Sequence, residues 1–291
     1  MSPLLPLRAR HCLITGAYGG IGAAIASRFA AEGALVTLLG RKEDKLREVC
    51  AQLSSFRDTR LSPLSAASAN TRPTTPGSDD DAVPAHSYAV MDLSADGRDE
   101  AILDHIWKRT GQIDVLVNAA GIAQFQLLQN TSLQAARELV DTNLMGTIFM
   151  SRYMAQRMKR RRADRDACII NVASLLAEKG SPGTSVYAAS KAGIIGLTHA
   201  LSVELGPLRI RTNAIVPGYI ETNMLACLVP WQERSTNIQI MTAMSREPLE
   251  KRIPLGRLGR PEEVADAAVF LAQNTYANNC VLNLDGGLSA A

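Results

Sequence analysis

The chain has 291 residues, of which 46% are hydrophobic and 20% are charged, and its formal net charge is +3. This composition is that of a globular protein whose core is large enough to fold without metal or disulfide crosslinks. The charge is too close to neutral to indicate a nucleic-acid-binding protein, and no apolar run reaches the ~20 residues of a membrane-spanning helix.

The cysteines and the N-terminus give a first indication of the compartment. The five cysteines lack a CxxC pair and the four histidines are dispersed, so we expect free thiols in a reducing compartment and no metal site. The first residues are basic and lack acids, as in mitochondrial import signals, but Pro3 and Pro6 disfavour a helical presequence. We expect an irregular tail that leads into a strand, in a protein of the cytoplasm or the mitochondrial matrix.

Apolar runs alternate with helical patterns along the whole chain. Seven nearly continuous apolar runs predict strands that are covered on both faces: 11–15, 35–39, 87–91, 113–118, 168–174, 211–217 and 281–284. Helical patterns lie between them: 20–32, 42–53, 97–109, 132–159, 186–205 and 261–272. This order predicts an α/β fold, a Rossmann-type doubly wound parallel sheet of seven strands with helices on both faces, as a single domain over residues 1–291.

Residues 54–85 interrupt this alternation. The segment is rich in Ser, Pro, Thr and Asp and has little apolar surface to bury. Such a composition does not offset the entropy that ordering costs. We therefore expect a flexible surface insertion between the second helix and the third strand, and we favour a tolerated loop over a partner-binding segment.

A glycine-rich loop follows the first strand and opens the first helix. Gly16, Gly20 and Gly22 form the pattern TGxxxGxG. They allow a tight turn, a close approach of the backbone to a pyrophosphate and close packing of helix on sheet. A phosphate would then lie at a helix N-terminus. We predict a dinucleotide-binding loop, with Tyr18 and Ile21 among its cofactor contacts.

The end of the second strand favours one dinucleotide over the other. An acid is expected there when the adenosine ribose has a free 2′-hydroxyl, but the chain has Gly40 and Arg41. Arg41 is suited to a charge-assisted contact with a 2′-phosphate. We therefore favour NADP(H) over NAD(H), with a solvated surface arginine as the alternative.

Two further strand ends fit the same groove. Asp92 and Leu93 close the third strand, where they would meet the adenine edge. The motif NAAG at 118–121 ends the fourth strand, and its small side chains would let ribose and nicotinamide lie against the backbone. The contacts predicted from this motif are Asn118, Ala119 and Gly121. Taken alone, each stretch is equally consistent with packing.

The motif SVYAASKAG places Tyr187 and Lys191 one helical turn apart on the same face. Carbonyl reduction needs a proton donor near the developing alkoxide, and a nearby ammonium would lower the pKa of the phenol from about 10. Ser174 ends the fifth strand at the same edge of the sheet and would polarise the carbonyl. Singly, the three residues are also explained as a core tyrosine, a solvent lysine and a helix cap.

With these motifs the chain resembles the short-chain dehydrogenase/reductase family, and within it the 3-oxoacyl-acyl-carrier-protein reductases. The resemblance covers residues 10–287 except for 54–85. It implies that Ser174, Tyr187 and Lys191 are catalytic, and that Tyr187 and Lys191 also contact the cofactor, with Lys191 reaching its ribose hydroxyls. It also implies that Asn143, in DTNLMGT, supports a water that leads to the lysine.

The same resemblance extends to the cofactor and the substrate. The segment VPGYIET at 216–222 resembles the one that contacts the nicotinamide carboxamide through Ile220 and Thr222, and Pro217 and Gly218 belong to it. Gly19 stands where many NADP-dependent relatives carry a basic residue, so recognition of the phosphate rests on Arg41.

The implied function is NADPH-dependent reduction of a 3-oxoacyl thioester by a homotetramer. Residues 223–253 would form the substrate lid, whose apolar surface would come from Met224, Leu225, Leu228 and Trp231. The basic run that holds Arg160, Arg161 and Arg162 is either a solvated face or a docking surface for an acidic acyl carrier protein. Two alternatives stay open: reduction of another carbonyl, such as a quinone or ketone, and a non-catalytic nucleotide-binding partner subunit.

Overall fold

The structure, a computed structural model, describes part of the chain. The described residues are 7–58, 86–159, 166–222, 224 and 246–291. Several predictions fall outside them: the N-terminal tail before residue 7, most of the predicted insertion (59–85), the three arginines of the basic run and the lid residues from 225 to 245.

All seven predicted strands are confirmed, with ends that differ by at most two residues. They are β1 (His11–Thr15), β2 (Leu35–Gly40), β3 (Ser87–Val90), β4 (Val115–Asn118), β5 (Ala167–Val172), β6 (Ile210–Pro217) and β7 (Val281–Leu284). Every strand pair is parallel, and the order across the sheet is β3-β2-β1-β4-β5-β6-β7. The predicted doubly wound Rossmann-type fold is therefore confirmed.

Each of the six helical patterns predicted from the sequence contains at least one α-helix, with three differences from the prediction. The helices are α1 (Gly20–Ala31), α2 (Glu43–Asp58), α3 (Glu100–Thr110), α4 (Leu133–Val140), α5 (Gly146–Met158), α6 (Ser185–Leu205), α7 (Arg246–Arg252) and α8 (Pro261–Gln273). In the part of the chain that is described, no helix combines the length and the apolar character needed to cross a membrane.

The first difference is that α2 continues to Asp58, so the start of the predicted insertion at residue 54 is wrong. The second is that the single helix predicted for 132–159 is interrupted by a π-helical turn at Asp141–Met145. Such a turn adds one residue to the helical repeat and rotates the side chains that follow it. The third is α7, which lies in the predicted lid and was not predicted as a helix.

Both faces of the sheet are buried, which explains the continuous apolar strands. Within β1, Cys12 and Ile14 belong to the core on the side of α1, α2 and α8, whereas Leu13 belongs to the core on the side of α3 and α5. Alternate residues of one strand thus fill two separate cores, as expected for a sheet between two helical layers.

The carboxyl ends of the central strands form the edge where a site can be built. The order of strands reverses between β1 and β4, and their last residues, Thr15 and Asn118, are paired. The Thr15 hydroxyl oxygen accepts hydrogen bonds from the N–H groups of Ala119 (3.1 Å) and Ala120 (3.2 Å). The loops that follow β1 and β4 are therefore tied together at the topological switch point, where ligands bind in such sheets.

Candidate active site

A continuous groove runs along the carboxyl ends of the strands. One half contains the glycine loop and the end of β2, and the other half contains Ser174, Tyr187 and Lys191. The residues that line both halves are Ile21, Ala119, Gly121, Thr222 and Met224. The two groups of predicted site residues therefore lie in one connected cleft.

The glycine loop has no room for a side chain at Gly16 or Gly20. Gly16 has φ +63°, and a Cβ there would lie 2.7 Å from the Ala120 Cα. A Cβ on Gly20 would lie 2.5 Å from Thr222 Cγ2. No side chain caps α1, and its first turn carries no acid. Helix N-terminal N–H groups and the helix dipole favour an anion at such a place.

The far end of the groove contains the residues predicted to meet the adenosine. A Cβ on Gly40 would lie 2.7 Å from the Tyr18 ring, so this ring lies against the end of β2. Asp92 and Leu93 line the groove there together with Arg41. Arg41 Nη1 lies 3.8 Å from Asp92 Oδ2, and both side chains are partly exposed. Arg41 is thus placed at the groove, with Asp92 as a competing partner.

Asn118 differs from the other residues of its motif. Its side chain is buried, and Nδ2 donates to Ser151 Oγ (3.1 Å) and to Asn171 Oδ1 (2.9 Å). Asn171 in turn donates to Thr198 Oγ1 at 2.9 Å. Asn118 is absent from the groove lining, whereas Ala119 and Gly121 belong to it. The geometry gives Asn118 a place in a buried network that links β4, β5, α5 and α6.

Ser174 and Tyr187 face each other in the groove. Ser174 follows β5 and caps the short turn after it, because its Oγ accepts the Leu176 N–H at 3.2 Å. Burial raises the pKa of Tyr187, and a hydrogen bond with the Ser174 hydroxyl opposes that rise. The sequence analysis expected the Tyr187 pKa to lie below its ordinary value, and that expectation is wrong. Desolvation disfavours the phenolate more than the neighbouring groups stabilise it.

Lys191 is a buried residue rather than a solvent lysine. Its side chain is 5% exposed, and Nζ donates to the Val172 carbonyl oxygen at 2.8 Å. Nζ lies 5.8 Å from the centroid of the Tyr187 ring. Burial lowers the pKa of Lys191 to about 8, since desolvation disfavours the ammonium. Tyr187 and Lys191 therefore lie together in the groove, and the pKa of Lys191 is close to neutral pH.

Asn143 lies in the π-helical turn and is fully buried. Its Oδ1 accepts the Ile122 N–H at 2.8 Å, and its Nδ2 donates to the Ile122 carbonyl (3.0 Å) and to Ser190 Oγ (3.1 Å). A Cβ on Gly121 would lie 3.2 Å from Asn143 Oδ1 and 3.4 Å from Lys191 Nζ. The Asn143 amide and the Lys191 ammonium therefore lie on the same side of Gly121.

Several groove residues were missed by the sequence analysis. Thr142 is buried and lines the half of the groove that contains the glycine loop, and its Oγ1 has no hydrogen-bond partner among the residues described. Gln124 and Tyr219 line the other half. The sequence could have indicated Thr142 only through its position next to Asn143. The π-helical turn is what buries both side chains.

The described part of the predicted lid packs beside Ser174. Leu249 of α7 and Ile253 just after it form a small buried cluster with Leu175, which follows Ser174 in the chain. Met224 lines the groove, and its side chain is 45% exposed. These contacts place both described ends of the predicted lid near the opening of the groove.

Comparison with known proteins gives a consistent result over the whole chain. A family model for short chain dehydrogenase matches residues 10–71, and a model for Enoyl-(Acyl carrier protein) reductase matches residues 78–289. The 3-oxoacyl-[acyl-carrier-protein] reductase FabG of Chlamydia muridarum is 34% identical, and the alignment covers 99% of this chain and 100% of that protein.

Two solved structures are similar over nearly the whole chain. The 3-ketoacyl-(acyl-carrier-protein) reductase of Brucella melitensis in complex with NADH has a TM-score of 0.76 and 27% identity, covering 97% of this chain and 99% of that chain. A Beutenbergia cavernae protein, solved with NADP at low occupancy, has a TM-score of 0.78 and 30% identity, covering 99% of this chain and 100% of that chain.

Proposed function

Since the chain belongs to the short-chain dehydrogenase/reductase family of oxidoreductases, we propose that it reduces 3-oxoacyl thioesters on acyl carrier protein to 3-hydroxyacyl thioesters with NADPH. The observation that carries this proposal is the meeting of Ser174, Tyr187 and Lys191 in one groove with the glycine loop. The similarity to 3-oxoacyl-[acyl-carrier-protein] reductases supports the choice of substrate.

The residues of the groove fit a dinucleotide. The start of α1, which no side chain caps, suits a pyrophosphate. The Thr142 hydroxyl, which has no hydrogen-bond partner among the described residues, lies in the same half of the groove. Side chains on Gly16 or Gly20 would collide with Ala120 or Thr222, so the loop stays in close contact with these two segments. The carboxamide contacts proposed for Ile220 and Thr222, and the contacts of Pro217 and Gly218, fall on the groove lining. When bound, the reduced nicotinamide supplies a hydride to the carbonyl carbon.

The protein's own residues supply the proton and hold the oxygen. Ser174 and Tyr187 would both donate hydrogen bonds to the carbonyl oxygen, where negative charge develops. Tyr187 transfers its proton to that oxygen, and the ammonium of Lys191 stabilises the phenolate that remains. Asn143 would support return of the proton through a water next to Lys191, in keeping with the position of both polar groups beside Gly121.

This mechanism predicts how reduction depends on pH. Lys191 carries its proton below about pH 8 and loses it above, because burial lowers its pKa to about 8. We expect kcat/KM for carbonyl reduction to fall as the pH rises through this value, while the reverse oxidation speeds up. Steady-state rates in both directions between pH 6 and pH 10 provide the measurement. A reduction rate that does not change over this range contradicts the assignment.

The preference for NADPH rests on Arg41. Replacing Arg41 with alanine should weaken NADPH binding by about tenfold, the loss of one charged hydrogen bond, and leave NADH binding nearly unchanged. Fluorescence titration with both nucleotides measures this. Arg47→Ala is the matched control, because Arg47 is an exposed arginine of α2 that pairs with Glu43 at 2.8 Å. Equal losses for both nucleotides would mean that Arg41 does not recognise the phosphate.

The substrate is tested with purified protein and NADPH. Oxidation of the cofactor is followed by absorbance with acetoacetyl-acyl carrier protein, free acetoacetyl thioesters, quinones and simple ketones. The proposal expects the highest kcat/KM for the 3-oxoacyl thioester. A higher value for a quinone or ketone favours the alternative of another carbonyl, and NADPH binding without any turnover favours a non-catalytic partner subunit.

The remaining expectations belong to the same proposal. A homotetramer, docking of an acidic acyl carrier protein and a location in the cytoplasm or the mitochondrial matrix are what we propose for a reductase of this kind. The three arginines of the proposed docking surface lie outside the described residues. Cross-linking to acyl carrier protein and light scattering are the direct measurements.

A further inference from the structure

The first turn of α6 carries Tyr187, and its N–H groups need partners from outside the helix. The first N–H groups of any helix have no acceptor within it. Thr184 precedes α6 and is a residue type that commonly provides such an acceptor. Here its side chain makes no capping bond, and its Oγ1 donates to the Ser181 carbonyl at 2.7 Å.

The missing acceptor comes from Gln124, in the segment that follows β4. Gln124 Oε1 accepts the N–H of Val186 at 2.8 Å and the N–H of Tyr187 at 3.1 Å. Gln124 is 5% exposed and lines the groove. The main-chain N–H of Tyr187 is thus bonded to the side chain of Gln124, which lies 63 positions earlier in the sequence.

The amide of Gln124 has only one orientation that satisfies its neighbours. Nε2 donates to the Gln126 carbonyl at 3.0 Å and to Thr131 Oγ1 at 2.9 Å. A flipped amide would place its NH₂ group against the N–H groups of Val186 and Tyr187. Since both lone pairs and both protons of the amide are used by the protein, Gln124 has none left for a substrate.

A second contact joins the same two segments. The Gln126 N–H donates to the Gly183 carbonyl at 3.0 Å, just before α6 begins. The segment after β4, which contains part of the groove lining, therefore holds the start of α6 at two points. Together these bonds hold the start of α6, and with it Tyr187, against the segment after β4.

We propose that Gln124 is a positioning residue for Tyr187, which fixes the phenol in the groove by capping α6 from a distant loop. The proposal rests on the proposed reductase activity. The neutral amide matters as well as the cap. A carboxylate at this position would also accept the two N–H groups, but its negative charge would disfavour the phenolate and raise the pKa of Tyr187.

The main test is Gln124→Met, which keeps the size of the side chain and removes its hydrogen bonds. We expect kcat for reduction to fall about 10–100-fold, since small displacements of a catalytic group have effects of this size, while the Kd of NADPH is unchanged. Hydrogen–deuterium exchange should become faster at the Val186 and Tyr187 amides. The matched control is Gln126→Met, two positions along the same segment, where the side chain is exposed and only main-chain atoms contribute to the contacts described above.

A second variant separates positioning from folding. Gln124→Glu keeps an acceptor for the Val186 and Tyr187 N–H groups but loses the donor to the Gln126 carbonyl. We therefore expect exchange at these two amides to be slower than in Gln124→Met. The added charge of Gln124→Glu should move the pH profile of the oxidation direction, which requires the phenolate, to higher pH. A profile that stays in place would mean that the phenol is not held beside position 124, and would overturn the positioning role.

The outcomes are distinguishable. A wild-type protein that reduces no carbonyl overturns the reductase function and this role with it. An active wild-type protein with an unchanged kcat in Gln124→Met overturns the positioning role alone. Loss of NADPH affinity in parallel with kcat, or unchanged amide exchange, likewise overturns it.

Discussion

Replacement of Tyr187 with phenylalanine is expected to lower kcat for carbonyl reduction by about 10²–10⁴-fold, the usual contribution of a general acid. The ring keeps its packing, and only the hydroxyl that interacts with Ser174 is lost. NADPH affinity should therefore stay nearly unchanged. Stopped-flow rates together with a nucleotide titration give both quantities.

Tyr219→Phe is the matched control for this variant. Tyr219 lines the same half of the groove, and its phenol interacts with the Ser181 side chain rather than with Ser174. We expect its removal to leave kcat within a few-fold of the wild-type value. If Tyr187→Phe retained wild-type turnover, Tyr187 would be excluded as the acid.

Replacement of Lys191 with methionine is expected to reduce kcat by a similar factor, about 10²–10⁴-fold, and also to weaken NADPH binding. The ammonium would stabilise the phenolate of Tyr187 and reach the ribose hydroxyls of the cofactor, so two effects disappear together. Tyr187→Phe should change only the first of them. Kinetics and nucleotide titration of the two variants, measured side by side, separate these roles. Lys45→Met, at a surface lysine paired with Glu48 at 3.2 Å, is the control.

The Tm of Lys191→Met shows whether this variant is folded. Burial lowers the pKa of Lys191 from 10.5 to about 8, so the unfolded chain binds more protons than the folded one between these values. Stability from this group therefore rises with pH from about 8 to 10.5, and below pH 8 the full cost of burying the charge remains. Methionine removes that cost, and we expect the Tm at pH 7 not to fall. A large decrease in Tm would mean that the lost activity reflects unfolding.

The cost of burying Lys191 points to its role. Lys191 is 5% exposed and donates to the Val172 carbonyl. Burying its ammonium lowers the stability of the fold. The same burial brings its pKa close to neutral pH, where a proton can be exchanged readily. Stability and the proposed chemistry therefore place opposite demands on this position.

Much of the architecture was determined by the sequence alone. Continuous apolar runs such as LVTLL identify strands that are buried on both sides, and the glycines at 16, 20 and 22 identify the turn between β1 and α1. Tyr187 and Lys191 share a helix face because they are four residues apart. These features depend on neighbouring residues, so a local pattern is sufficient to predict them.

Only the tertiary structure decided how the site is held and how its groups titrate. The π-helical turn that buries Thr142 and Asn143, the buried network of Asn118 and the capping of α6 by Gln124 all depend on residues far apart in the chain. The direction of the Tyr187 pKa was predicted wrongly for the same reason. Desolvation is set by everything that packs around a group, and the spacing of two residues along one helix carries no information about it.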